Sequence, residues 1–559
     1  MHATRRIAIL AAVTLINFAP TACSSSGSGD SATSGSSASA TTFTVGGTAS
    51  GLTGTVVLQN NGADDLTLTA NGSFSFATSL ASGSAYQVSI KSNPNSQICF
   101  FQNASDAGNV ASANITSVAL NCASSTSTTP AWVQDAYLKA SNPGANDNFG
   151  LAVAVSGSTV VVGVRNEDSN QTTITNTDST ATADDSAGNS GAAYVFQRDT
   201  SGIWVQDAYL KASNAEAGDW FGTAVAISGS TVVVGAIEDD SNQTTITNTD
   251  GTASADNSAS NAGAVYIFKR ETSGNWVQDA YLKASNAEAG DYFGFSVAIS
   301  GSTVVVGARD EDSNQTTITN TDGSASGVNG TSGSGAVYVF KRDTSGDWVQ
   351  DAYLKASNAG IGSSFGWAVA ISGATVVVTA PSERSNQTTI TNADGAASAD
   401  ISASASGAAY IFKREASGDW VQDAYLKASN AEAGDGLGES AAISGSTVVV
   451  GARNEDANQT TIDNNDGAAS ANNSTTGSGA VYVFKREASG DWVQDAFLKA
   501  SNAEASDSLG YSVAASGSTV VVGAHQEASN QTTITNTDGS ASGVNGAASA
   551  GAVYIFKLQ

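Results

Sequence analysis

The sequence predicts an all-β chain, a closed β-propeller of six four-stranded blades preceded by a small β-sandwich domain. Three observations carry this. Trp132, Trp204, Trp276, Trp348, Trp420 and Trp492 stand 72 residues apart without a slip, each opening WVQDAYLKAS or, at the last, WVQDAFLKAS. A fixed period of that length marks a solenoid or a propeller. Within one period four strand-like stretches recur, in the second copy residues 204–212, 221–227, 230–236 and 264–269. The array also opens on a WVQDAYL segment and closes on AVYIF, so the first segment is expected to complete the last blade and lock the ring.

Each element follows from local chemistry. Ser228-Gly229 is a tight-turn signal, which makes the two middle stretches a hairpin. Val232-Val233-Val234 is apolar on both faces, as a strand must be when its sheet is sandwiched between neighbouring sheets. Upstream, residues 42–123 alternate β-formers with turn signals such as Asn60-Asn61-Gly62, giving about six strands in a compact module. Its stretch GLTGTVVLQNNGADDLTLTANGSFSF resembles sandwich modules that serve as spacers near the N-terminus of bacterial envelope proteins. Residues 124–131 read as a linker to the repeats at 132–559.

Residues 1–23 have the shape of an export signal: Arg5 and Arg6, a mostly apolar run at 7–19, then Thr21, Ala22 and Cys23. Thirteen residues are too short to span a hydrocarbon core of about 30 Å as a helix. The segment resembles a bacterial lipoprotein signal, in which the cysteine is lipidated and becomes the first mature residue, although Pro20 stands where that family usually has Leu. In that family Ser after the cysteine directs the protein to the outer membrane, and here that residue is Ser24. The expectation is an outer-membrane lipoprotein, surface-exposed or periplasmic, with ordinary secretion as the alternative. The Ser/Gly-rich stretch 24–41 would be its flexible spacer. With Cys23 lipidated, Cys99 and Cys122 remain to pair as a disulfide in an oxidising compartment.

The formal charge of −28 repels nucleic acid and anionic headgroups, so no nucleic-acid partner is expected, and membrane contact is expected only through the lipid. Catalysis has little to work with. His2 lies in the signal, leaving His525 as the single mature histidine, which excludes histidine triads and multi-histidine metal centres. Carboxylates are many, but nearly all have counterparts 72 residues away, whereas an active site needs one unique constellation.

Phe221-Gly222 followed by Gly235-Ala236 resembles the core of the FG-GAP repeat, known from the ligand-binding propeller of integrin α chains and from bacterial surface proteins. Phe149-Gly150, Phe293-Gly294 and Phe365-Gly366 repeat the first half, and Leu437-Gly438 and Leu509-Gly510 vary it. The resemblance implies a propeller acting in adhesion or protein binding. Many members place a calcium loop between the two half-motifs. Here only Ser228-Gly229-Ser230 stands there, too short for a cation that needs six to eight oxygens.

Acidic residues cluster instead after the Gly-Ala strand. Glu238, Asp239 and Asp240 are followed by Asn248 and Asp250, and in the next copy Asp310 and Asp312 by Asn320 and Asp322. Such a set could hold calcium, and a solvated hairpin tip with Asp-Gly turn chemistry explains the same residues without metal. The insert SNQTTITN, starting at Ser169, Ser241, Ser313, Ser385 and Ser529, with ANQTTIDN at Ala457, would form a crown on one rim. The expected function is non-enzymatic, a monomeric envelope binding or adhesion protein contacting protein or glycan. A periplasmic assembly scaffold is the alternative, and a carboxylate hydrolase a weaker third.

Overall fold

The computed structural model describes residues 41–559 apart from 95–96, 103–104, 125–134, 177–183, 249–252, 255, 321–324, 326–327, 393–396, 465–471, 530–548 and 559. The chain falls into two units, Met1–Thr41 and Thr42–Gln559. The signal segment, Cys23 and residues 24–40 lie outside the described residues. All named elements are strands.

The N-terminal module is built from two four-stranded sheets and a two-stranded one that pairs Thr42–Phe43 with Leu80–Ala81. One four-stranded sheet runs Gly72–Ser75, Val45–Ser50, Ile115–Ser124, Gln97–Phe101, and the other Asp64–Leu68, Val56–Asn60, Ala85–Ser92, Ala107–Asn109. Alternation places Val56 and Leu58 inside from one sheet, and Val118 and Leu120 inside from the other, around Phe74, Phe76 and Tyr86. Cys99 and Cys122 are direct cross-strand partners and are joined by a disulfide.

Six repeated sheets follow, matching six blades. Blade two shows the plan: Phe221–Ser228, Thr231–Ala236, Ala264–Arg270 and Trp276–Leu282, antiparallel and in that order. The outer strand, Trp276–Leu282, therefore comes from the start of the next sequence copy. The first strands of neighbouring blades pack on one another, so they are the inner strands. The inner hairpin turns at Gly229, whose φ of 56° is left-handed, a region glycine enters without steric cost. Val232, Val233 and Val234 are fully buried because each sheet is covered on both faces.

The two half-motifs interlock between blades. Phe221 is buried edge-on against Tyr266 and Phe268, ring centres 5.3 and 6.0 Å away. Beside it Gly222 has φ +95°, and a Cβ there would stand 2.4 Å from the carbonyl oxygen of Ala192 in the preceding blade. A Cβ on Gly235 would stand 2.2 Å from the oxygen of Gly294 in the following blade. Paired glycines thus set the blade spacing. Blade four carries Thr379 at the corresponding place, where its hydroxyl oxygen accepts from the Ala368 amide at 3.0 Å. The facing Gly438 opens to φ +115°. Leu437 and Leu509 replace the phenylalanine and are equally buried.

Blade six shows three strands, Leu509–Ser516, Thr519–Ala524 and Ala552–Lys557. Trp132, where the locking strand is expected to begin, lies outside the described residues; residues 135–138, its described remainder, belong to no named strand, and Asp135 sits against Arg198 and Trp204 of blade one. Apolar side chains of the two end blades face outward: Val153 and Val155 are 65% and 67% exposed, Val553 and Ile555 67% and 51%.

Candidate functional site

In blades one to five a fully buried lysine from YLKAS or FLKAS meets a buried carboxylate. The pairs are Lys211–Glu167, Lys283–Asp239, Lys355–Glu311, Lys427–Glu383 and Lys499–Glu455, at 2.9–3.2 Å. Each ammonium also donates to a glycine carbonyl at 2.6 Å, Gly263 in blade two and Gly335 in blade three among them. Burial holds the lysine pKa values below the ordinary range, with the partner carboxylate pulling them back up. In blade two Tyr281 and Tyr266 donate to the same Asp239 carboxylate.

This network engages much of the acidic cluster. Asp239 belongs to Lys283. Asp240 accepts from the Asn261 amide and Asp312 from the Gly333 amide, each at 2.7 Å. Glu238 lies near Asp240 and Arg165, its pKa raised chiefly by burial. Asp310 pairs with Arg309 at 3.3 Å. Asn248 and Asn320 point elsewhere, to Trp348 and Trp420, and Asp250 and Asp322 lie outside the described residues. Among the described residues no three His, Cys, Asp or Glu side chains converge as a metal site would require.

The insert is a latch between blades. Thr175 and Asn176 pair with Tyr209 and Ala208 as a short fifth strand on blade one. The Asn176 carboxamide accepts from the Trp276 amide at 2.6 Å and donates to the Trp276 carbonyl at 3.0 Å. Asn248 holds Trp348 in the same way. Asn248→Ala breaks both bonds and is expected to cost about 1–3 kcal/mol, read from the urea midpoint.

Before each Phe-Gly or Leu-Gly, except in blade four, an aspartate caps the turn that enters the blade. Asp291 accepts from the Glu288 amide at 3.0 Å, and Asp219 and Asp435 make the equivalent bonds. Burial pushes Asp219 and Asp291 up to about 8 and Asp435 to about 7, with neighbouring carboxylates adding to the rise. A raised pKa contributes stability that is complete below the ordinary aspartate value of about 3.9 and is lost as pH climbs through the folded value. Stability is therefore expected to fall between about pH 4 and pH 8. Asp291→Ser, which copies Ser363 of blade four, should flatten that slope in a pH series of melting curves.

Some of the residues that differ between these near-identical blades gather elsewhere. Three such positions lie together: the one before Phe-Gly, the one after it, and the one after Gly-Ala. They read Trp220, Thr223 and Ile237 in blade two, and Tyr292, Phe295 and Arg309 in blade three. The register pairing Phe293 with Ala308 brings them to the same end of the inner hairpin. There the Arg309 guanidinium lies 4.1, 5.1 and 5.3 Å from the ring centres of Phe295, Trp367 and Tyr292, Trp367 coming from blade four. Phe295 and Trp367 are themselves 5.1 Å apart. Arg165 of blade one covers Trp220 of blade two at 4.6 Å. Arg453 lies 5.7 Å from Tyr511 and pairs with Glu439 at 3.3 Å, while its buried Nε has no hydrogen-bond partner.

Trp220 and Tyr292 hold φ of 54° and 53°, where bulky side chains are outliers. Asn148, Ser364 and Ser508 take the same conformation with smaller side chains. Holding an aromatic there costs of order 1–3 kcal/mol, and such strain collects at functional sites. Both rings remain half-buried. A guanidinium stacked among aromatic faces keeps its N–H edge for carboxylates and leaves flat apolar rings beside it.

The family model described as the FG-GAP repeat matches residues 132–176, 204–268, 276–340, 348–412, 420–484 and 492–556. The chain belongs to the FG-GAP repeat family. Its defining Phe, Leu and Gly residues are thus the interlock between blades, and the stacked arginines lie beside them on the same blade end. A search of the curated proteins finds no match. Among solved structures, the crystal structure of Saccharomyces cerevisiae Sqt1 is similar with a TM-score of 0.31 at 8% identity, over 68% of this chain and 81% of that one.

Proposed function

We propose that this FG-GAP protein is a non-enzymatic cell-envelope binding and adhesion protein, exported and tethered through a lipid on Cys23, whose propeller contacts protein or glycan partners. The observation that carries the binding role is the Arg309 guanidinium stacked among Phe295, Trp367 and Tyr292 from two adjacent blades. Arg, Trp and Tyr are the residues on which binding energy concentrates at interfaces. The non-catalytic reading is supported by the acidic residues, many of which are tied into the scaffold through lysine, tyrosine and backbone partners repeated from blade to blade.

Protease shaving of intact cells, followed by blotting for the propeller, tests the location this role needs. Loss of the propeller with the envelope still sealed is expected for a surface adhesin. Digestion only after the outer membrane is opened would favour the periplasmic scaffold.

A further inference from the structure

The insert contains an invariant element that its latch function does not use. In blade one Ser169 is buried and its hydroxyl accepts from the Gln171 amide at 3.1 Å. Gln171 donates to the Thr173 carbonyl and the Thr175 hydroxyl at 2.6 and 2.8 Å. Ile174 packs on the core, and Asn176 clamps Trp276. Asn170 and Thr172, in contrast, are exposed.

The same is true of Asn242 and Thr244, Asn314 and Thr316, Asn386 and Thr388, and Asn458 and Thr460. Their constancy is not explained by packing. In blade five the structural positions have drifted, Ala457 replacing the buried serine and Asp463 the pairing threonine, yet Asn458 and Thr460 stand unchanged. Each set reads Asn-Gln-Thr, the acceptor pattern for attachment of a glycan to asparagine, with no proline in the middle.

Among the described residues, asparagines of this pattern elsewhere in the chain are engaged by the fold. Asn71 both accepts from and donates to the Leu52 backbone, and Asn114 accepts from the Thr44 amide. Asn329 and Asn473 donate to Glu288 and Glu432. The pattern arises there with the amide already committed to the fold.

We propose that Asn170, Asn242, Asn314, Asn386 and Asn458 are glycan acceptors, so that the crown of inserts carries sugar. This rests on the export proposed above, since the donor is a saccharide diphosphate carried on an envelope lipid. The asparagine amide nitrogen forms a bond to the anomeric carbon of the sugar. The bond from that carbon to the diphosphate oxygen breaks, its electron pair leaves with the lipid diphosphate, and the amide gives up one proton. The threonine two residues on supplies the hydroxyl by which a transferase recognises the acceptor. Bulky polar sugar at these sites would keep the rim hydrated.

The test is peptide mapping by mass spectrometry of the full chain isolated from the envelope of its own cells. Peptides holding the five asparagines are expected to be heavier by at least one sugar each. Thr316→Val should return the Asn314 peptide alone to its unmodified mass while the other four stay modified. A chain recovered from the envelope with all five asparagines at their unmodified mass overturns this proposal and leaves the export reading intact. A chain found only in the cytoplasm, with unmodified asparagines, overturns both.

Discussion

Lys355→Met is expected to lower the unfolding free energy of the propeller by about 3–5 kcal/mol. Its Nζ sits 2.9 Å from Glu311, 2.8 Å from the Ser334 hydroxyl and 2.6 Å from the Gly335 carbonyl, with no solvent to take over any of these bonds. Removing the ammonium leaves a carboxylate buried without its counter-charge, and that uncompensated charge is the larger part of the loss. The double variant Lys355→Met with Glu311→Gln should recover part of the stability, because no charge then remains unpaired. Urea unfolding of the three proteins checks this. A single variant as stable as the parent would mean that the pair contributes nothing to blade three.

The second large effect concerns binding. Arg309→Ala or Trp367→Ala is expected to weaken ligand affinity by about 2–4 kcal/mol, roughly 30- to 1000-fold. Both side chains are half-buried at the blade end, so either truncation should leave the sheets folded. Thr245→Ala and Thr317→Ala on the exposed inserts serve as the comparison. If the crown rather than the blade end makes the contact, the ranking reverses.

The architecture was legible because every copy repeats the same local signals. Val-Val-Val, the Ser-Gly turn and AVYIF recur at a constant interval, and Phe-Gly with Gly-Ala marks where blades touch. The glycine pair needed no structure to be noticed, though its purpose did: Gly235 faces Gly294 in the next blade, 59 residues along the chain. The acidic cluster was harder. Asp239 looks like a metal ligand beside Glu238 and Asp240, and nothing local shows that Lys283, 44 residues later, supplies its counter-charge. Asn248 likewise reads as a turn residue until Trp348, 100 residues away, proves to be its partner.

The stacked arginines left a different trace. Repetition draws the eye to what is constant, whereas Arg165, Arg309 and Arg453 occupy a position that is Ile237 and Pro381 in other blades. Alignment of the six copies by their own period would have exposed that column and the aromatic ones around it. What no alignment shows is that Tyr292, Phe295 and Trp367 converge on one guanidinium, because the third ring comes from the neighbouring blade.

A recognition surface at the blade end around Arg309 must lose its ligand when that stack is truncated. The most direct measurement is binding of the purified chain to a glycan array and a panel of envelope and extracellular proteins, repeated with Arg309→Ala and Trp367→Ala. At least one ligand is expected to bind the parent and to be lost or weakened at least tenfold by each variant, with the insert threonine variants unchanged. A ligand held equally well by the parent and both blade-end variants would contradict it.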